Sequence, residues 1–259
     1  MIKAIFFDVD GTLISRNRPH ISQNVIDALR RLNYQGVKLF IASGRHYLEL
    51  EELGINNQFT FDGYLTLNGG YCFNQEKVIY KNPIDASDVK RIVNYTTEHQ
   101  LACSFVEGNE LYINLINDLV VTAQQAINTS LPPIKDISRA LVNDVYQIDP
   151  FVDQAAIKEI IALTKHCKHT QWHDGAYDII PAHGGKQEGI AAILDHYGMN
   201  ASEVMAFGDG HNDLEMLKFV GLGVCMANGH EETKANSDYV TKHVDEDGIV
   251  AALQNFNLL

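Results

Sequence analysis

Two carboxylates one residue apart, Asp8 and Asp10, follow directly on the apolar run Ile5-Phe6-Phe7. On an extended chain residues i and i+2 point the same way, so both side chains would share one face where a strand leaves the core. Like charges that close repel unless a cation lies between them or one is protonated, and either condition suggests chemistry. Three other stretches carry related residue types: Ser43-Gly44-Arg45, Lys186, and Gly208-Asp209-Gly210-His211-Asn212-Asp213. Asp8, Asp10 and Asp209 offer oxygen ligands of the kind Mg²⁺ takes, with water and substrate completing its shell. Ser43 offers a hydroxyl ahead of a helix whose first amides attract anions. Lys186 offers a mobile positive charge. Gly11, Gly44, Gly208 and Gly210 allow backbone to come close to a ligand. Together these types suit a phosphate group and a hard divalent cation, and the cation would relieve the repulsion between the paired carboxylates.

The elements that must hold these residues follow from apolar periodicity. Residues 3–8 read as a buried strand. Ser22 can cap a helix whose stripe is Val25, Ile26, Leu29 and Leu32, with Gly36 ending it. Val37 to Ala42 reads as a second buried strand, Arg45 to Leu53 as a helix closed by Gly54, and Tyr64 to Leu67 as a third strand before Asn68-Gly69-Gly70. The pattern resumes late, with Ile190, Ile193, Leu194 and Tyr197 at helical spacing after Lys186. Val204 to Phe207 reads as a strand, Asn212 to Phe219 as a helix, and Leu222 to Met226 and Tyr239-Val240 as short strands. Alternating strands and helices predict a parallel sheet wrapped on both faces, a doubly wound α/β fold. Ligands of such sheets bind at the carboxyl ends of the strands, where the chemical stretches fall. Lys186 opens a helix and could join them there.

Between these halves the texture changes. Asn82-Pro83 and Pro181 punctuate the ends. Inside, helices are predicted at 86–99, 118–128 and 153–166, and strands at 101–106, 111–115, 145–148 and 177–180. The expectation is a core of residues 1–81 and 183–259 with an inserted α/β cap domain at 82–182.

Bulk composition narrows the partners. A net charge of −13 over 259 residues argues against nucleic acid or an anionic membrane. An anionic substrate must then be drawn in by local groups or a metal. Cys72, Cys103, Cys167 and Cys225 form no Cys-x-x-Cys and read as free thiols in a reducing compartment. No apolar run approaches membrane-spanning length, and Asp8 interrupts the first run too early for a signal peptide, so a cytoplasmic protein is expected.

Other motifs fail on detail. Gly184-Gly185-Lys186 is not a P-loop, because Gln187 stands where Ser or Thr should and Ile180 where the first Gly should. The glycine pattern at 208–213 lacks the third glycine of a dinucleotide fingerprint, and neither aspartate cluster fits a calcium loop. His166, Cys167, His169 and His173 match no standard zinc spacing and read as a solvated helix end and loop.

Taken in order, the stretches resemble the haloacid dehalogenase superfamily, in its Cof-type phosphatase branch with a large α/β cap. Asp8 to Thr12 matches Asp-x-Asp-Gly-Thr, Phe40 to Ser43 the strand ending in Ser/Thr, Lys186 the third motif, and Gly208 to Asp213 the Gly-Asp-x-x-Asn-Asp motif. Gln187 departs from the family's frequent glycine after the lysine. The resemblance implies a phosphatase acting on a small phosphorylated metabolite, such as a sugar phosphate or phosphorylated cofactor. It implies Asp8 as nucleophile and Asp10 as acid and base. Mg²⁺ would lie on the side chains of Asp8 and Asp209 and the carbonyl of Asp10. Phosphate would be held by the amides of Val9 and Gly44, Ser43, Lys186 and Asn212, with Asp213 behind the metal shell or the lysine. The alternatives are a phosphotransferase or phosphomutase on sugar phosphates, and a non-catalytic sensor of a phosphometabolite. Trp172, His173, Tyr177 and Asp178 are the candidate selectivity residues of the cap. Lys186 is expected to be exposed, so that its loss would cost little stability.

Overall fold

The computed structural model describes residues 1–259. Its first strands are β1 Ala4–Phe7, β2 Lys38–Ala42, β3 Gly63–Thr66, β4 Tyr71–Phe73 and β5 Val78–Lys81. The middle of the chain adds β6 Ala102–Val106, β7 Leu111–Ile113, β8 Gln147–Phe151, β9 Cys167–His173 and β10 Ala176–Pro181. The last are β11 Val204–Gly208, β12 Leu222–Cys225 and β13 Tyr239–Val240. Eight strands form one sheet in the order β13-β12-β11-β1-β2-β3-β4-β5, and five form another in the order β7-β6-β8-β10-β9.

The larger sheet is parallel from β13 to β3 and antiparallel at its β4 and β5 edge. Strands β1 and β11 are buried along their whole length, and such strands need cover on both faces. On one face Ile5, Phe7, Leu39 and Ile41 pack with Val25, Ile26, Leu29 and Leu32 of the helix Gln23–Tyr34. On the other, Phe6 and Phe40 pack with Ile190, Ile193 and Leu194 of the helix Lys186–Tyr197. Phe6 stacks on Phe40 at 4.8 Å and Phe7 on Phe207 at 5.4 Å. Each buried ring contributes about 1.5–3 kcal/mol, which fixes β1 firmly between β2 and β11. The chain leaves β1 toward β2 on one side and returns as β11 on the other. A crevice opens at that switch point, at the carboxyl end of β1.

The smaller sheet shows period-2 alternation. Cys103, Phe105, Ile148, Tyr177 and Ile179 pack against Val89, Ile92, Val93, Ile157 and Ile160 of the helices Ala86–Glu98 and Gln154–Leu163. Ser104, Gln147, Asp149 and Asp178, on the opposite face, look into the crevice of the larger sheet. No helix is long and apolar enough to cross a membrane.

Several elements differ from expectation. Strand β8 runs over Gln147–Phe151 rather than 145–148, because Asp149-Pro150, a turn signal in sequence, is paired with Ser104 and Cys103 of β6. Strand β9 occupies Cys167–His173, where a helix end and loop were expected. The helix before it stops at Leu163. As an edge strand with mixed residues, β9 has no apolar stripe to announce it. The helix expected from Arg45 begins at Tyr47, capped by His46, which leaves Arg45 in the preceding turn.

Candidate active site

Three neighbouring strands deliver the chemical residues. Asp8 leaves β1, Ser43 leaves β2 and Asp209 leaves β11, so parallel pairing alone sets them side by side. Lys186 reaches them from the first turn of its helix. Its Nζ lies 2.6 Å from Asp8 Oδ1 and 2.6 Å from Asp213 Oδ1, and the residue is 0% exposed. This corrects the expectation of an exposed, mobile charge: the helix start is packed under the crevice floor, where only a fully paired lysine is tolerated. Burial lowers the ammonium's pKa, but the Asp213 and Asp8 charges more than reverse that and hold it above its ordinary value.

The acidic groups divide by how much of their hydrogen-bonding capacity the protein uses. Asp213 is engaged on both oxygens: Oδ1 takes Lys186, and Oδ2 accepts from the amides of Asp209 and Gly210, both at 2.9 Å. Asp209 Oδ1 accepts from the Thr12 hydroxyl at 3.0 Å. Gly11, at φ +80°, passes so close that a Cβ there would fall 2.2 Å from Asp209 Oδ2, so no other residue fits. The Asp10 carbonyl accepts from no protein donor, and the amides of Val9 and Gly44 donate to no protein acceptor. Asp8, Asp209 and Asp213 bring carboxylate oxygens within 4.8 Å of one another. Burial, joined by the Asp213, Asp209 and Asp10 charges, pushes Asp8 well above the usual carboxylate range against the pull of Lys186. Burial and the Asp213 charge push Asp209 up to about 7. A divalent cation between Asp8, Asp209 and the Asp10 carbonyl would reverse both shifts, so this donor set fits a hard metal ion.

Two residues without an assigned role in the sequence reading complete the floor. Arg45 is buried and grips Asp10 with two bonds, Nε to Oδ2 at 2.6 Å and Nη2 to Oδ1 at 2.7 Å. Nη2 also donates to the Ile127 carbonyl of the smaller sheet's unit at 2.7 Å, while Nη1 is buried without an acceptor. Leu67, Asn68 and Gly69 have successive positive φ values of 54°, 51° and 88°. That strained turn puts the Asn68 side chain between the two sheets. Its amide nitrogen donates to Gln147 Oε1 at 3.0 Å and Asp178 Oδ2 at 2.7 Å, and its oxygen accepts from Asn212 at 3.0 Å. Asn212 therefore reaches the crevice already paired with Asn68. The Gly44-Arg45 and Asn68-Gly69-Gly70 sequences carried the only signals for these positions.

A cavity of about 240 Å³ lies between the sheets. Asp8, Asp10, Ser43, Gly44, Asp209 and Asn212 line it from below. Of the four candidate selectivity residues, Trp172 and Asp178 line it from above. Tyr177 does not: one step along β10 from Asp178, it points to the opposite face and packs under the helices. His173 does not line it either, standing at the end of β9 with its Nδ1 2.9 Å from the Asp174 carbonyl oxygen.

This fold and site define a class. The family model of haloacid dehalogenase-like hydrolases matches residues 5–253, and the chain belongs to that family. It is a phosphatase within it. YkrA of Bacillus subtilis, a candidate phosphatase, is 32% identical, the match covering 99% of this chain and 98% of YkrA. The solved structure of the subclass IIB sugar phosphatase BT4131 is 36% identical, covers 99% of this chain and 100% of its own, and superimposes with a TM-score of 0.89. BT1666 of Bacteroides thetaiotaomicron, another phosphatase of the superfamily, is 32% identical with a TM-score of 0.90, covering 100% of this chain and 96% of its own.

Proposed function

We propose that the chain is a Mg²⁺-dependent phosphatase that hydrolyses small phosphorylated metabolites through an aspartyl-phosphate on Asp8. The observation that carries this reading is the convergence of Asp8, Lys186, Asp209 and Ser43 on one buried crevice. A phosphate there meets the free amides of Val9 and Gly44, the Ser43 hydroxyl and the Lys186 charge. Asn212 is placed to reach a phosphate oxygen once its hydrogen bond to Asn68 loosens. The chemistry that a bound Mg²⁺ supplies, on Asp8, Asp209 and the Asp10 carbonyl, is neutralisation of the phosphate's charge opposite an anionic nucleophile.

A carboxylate oxygen of Asp8 attacks phosphorus, and the bond to the leaving oxygen breaks. Asp10 gives that oxygen its proton, then takes a proton from the water that cleaves the aspartyl-phosphate. The double grip of Arg45 occupies both oxygens of Asp10, so handling a proton there requires one of those bonds to open. Arg45 also ties the acid–base residue to the Ile127 carbonyl, which couples closure of the cap to the placement of Asp10. The bonds of Asp213 to Lys186 and to two backbone amides support a role for it behind the lysine.

The small volume of the cavity suits a small leaving group, and the likeness to a sugar phosphatase supports a sugar phosphate or phosphorylated cofactor as substrate. Free cysteines, three of them buried, support a cytoplasmic setting. The test compares Asp8→Asn with Asp10→Asn by intact mass after a rapid acid quench. With a leaving group that needs little protonation, Asp10→Asn accumulates a phosphoryl adduct and Asp8→Asn none. A stable adduct on Asp8→Asn would show the nucleophile to be another residue.

A further inference from the structure

The roof of the cavity carries two facing carboxyl groups that no cationic side chain of the protein pairs with. Register aligns one row across the smaller sheet: Ser104 of β6 is paired with Asp149 of β8, and Asp178 of β10 with Thr170 of β9. The β8–β10 pairing, with Ile148 opposite Ile179, sets Asp149 opposite Asp178. Side chains so placed stand roughly 5 Å apart at Cβ, and like charges there repel. All four line the cavity. Asp178 is 7% exposed and its side-chain donors are neutral, the Asn68 amide at 2.7 Å and the Trp172 side chain. Asp149 Oδ1 is buried with no partner. Ser104, 1% exposed, has a hydroxyl with no partner at all. The one guanidinium lining the cavity, that of Arg45, is committed to Asp10.

Resting on the phosphatase reading above, we infer that this row is a subsite for a protonated amine on the leaving group. The preferred substrates are then phosphate monoesters of amino alcohols, amino sugars among them. The argument is one of charge and donors. Two facing carboxylates only accept hydrogen bonds when ionised, and a neutral polyol would satisfy them while leaving their repulsion intact. An ammonium brings three donors and a positive charge, enough for Asp149, Asp178 and the idle Ser104 oxygen. Burial and the facing charge push Asp149 well above the usual carboxylate range, and burial pushes Asp178 up to about 7, as expected for a pair that lacks its cation. The ligand would then be a dipole, its phosphate on the Lys186 floor and its amine at the acidic roof.

The test measures kcat/KM at pH 7 with Mg²⁺ for three amine and hydroxyl pairs. These are glucosamine 6-phosphate against glucose 6-phosphate, phosphoethanolamine against 2-hydroxyethyl phosphate, and 4-aminobutyl against 4-hydroxybutyl phosphate. We expect the amine to be favoured about tenfold or more in at least one pair. Asp149→Asn and Asp178→Asn, which keep shape and remove charge, should bring that ratio toward one. A ratio near one in all three pairs overturns the inference, as does a preference that both variants retain. Should the variants fail to fold, the wild-type ratios still decide. p-Nitrophenyl phosphate separates the two readings: its hydrolysis without any amine preference sinks only the subsite, and no phosphate release from it or from any of the six esters sinks the Asp8 hydrolytic mechanism on which the subsite rests.

Discussion

Floor and roof of the cavity handle buried charge in opposite ways. On the floor Lys186 sits between Asp8 and Asp213, Arg45 holds Asp10, and Thr12 serves Asp209. On the roof Asp149 and Asp178 face each other with no cation, and Ser104 is idle. On the floor the chain supplies its own cations and donors, leaving Asp8 and Asp209 for a metal ion, so its geometry exists before substrate arrives, as electrostatic preorganisation requires. The roof is completed from outside, which makes it the half that can discriminate between ligands. Substitutions should therefore act with opposite signs on stability in the two halves.

The largest effect belongs to Lys186. Lys186→Met removes the cation from two buried carboxylates and leaves them facing each other, a loss of about 3–5 kcal/mol for breaking a buried pair. Activity should disappear as well. Urea unfolding followed by circular dichroism checks the first part. A midpoint equal to wild type would mean that the floor, like the roof, tolerates unpaired charge, and the contrast would collapse.

Next comes Arg45. Arg45→Lys keeps the charge but loses the planar fork, so Asp10 and the Ile127 carbonyl can no longer be held together. Misplacing the acid should lower kcat for an alkyl phosphate by on the order of 10²-fold. The drop should be much smaller for p-nitrophenyl phosphate, whose leaving oxygen needs little protonation. Equal losses on both substrates would assign Arg45 to phosphate binding instead of to positioning Asp10.

The same division governs what the sequence reveals. Floor residues sit where buried parallel strands end, and both the strands and the motifs that follow them are local signals. Asp8, Ser43 and Asp209 are therefore legible, along with the strands that carry them, to within a residue or two. Burial of Lys186 is not, because a lysine at a helix start looks the same whether solvent or two carboxylates surround it. Asp149 is illegible for a stronger reason: Asp-Pro reads as a turn, and only pairing with β6 keeps it in a strand. Tyr177 was a plausible cavity residue by proximity, yet one residue along a strand reverses the face. Position in the row across four strands depends on register, which no short stretch encodes.

The smallest predicted effect tests the roof's sign directly. Asp178 is held up to about 7 by burial, against the ordinary value of 3.8. Between those values the folded state keeps a proton that the unfolded chain has lost, so stability falls as pH rises through that window. The penalty is complete above the upper value and absent below the lower one. Asp178→Asn preserves an oxygen for the Asn68 amide and removes the charge facing Asp149. It should therefore stabilise the metal-loaded protein at pH 8 by roughly 1 kcal/mol, the scale of a facing like-charge pair. For a chain of this length that is about 2–4 °C in Tm. The gain should shrink as pH falls to 5, where the wild-type carboxyl regains its proton. Thermal melts of both proteins across pH 5–8 make the comparison, each point with excess Mg²⁺ so that Asp8 and Asp209 stay ionised throughout. A variant less stable than wild type at pH 8 would show that Asp178 is held by a favourable charge interaction within the protein. The roof would then be paired by the protein's own groups, as Asp213 is by Lys186 on the floor.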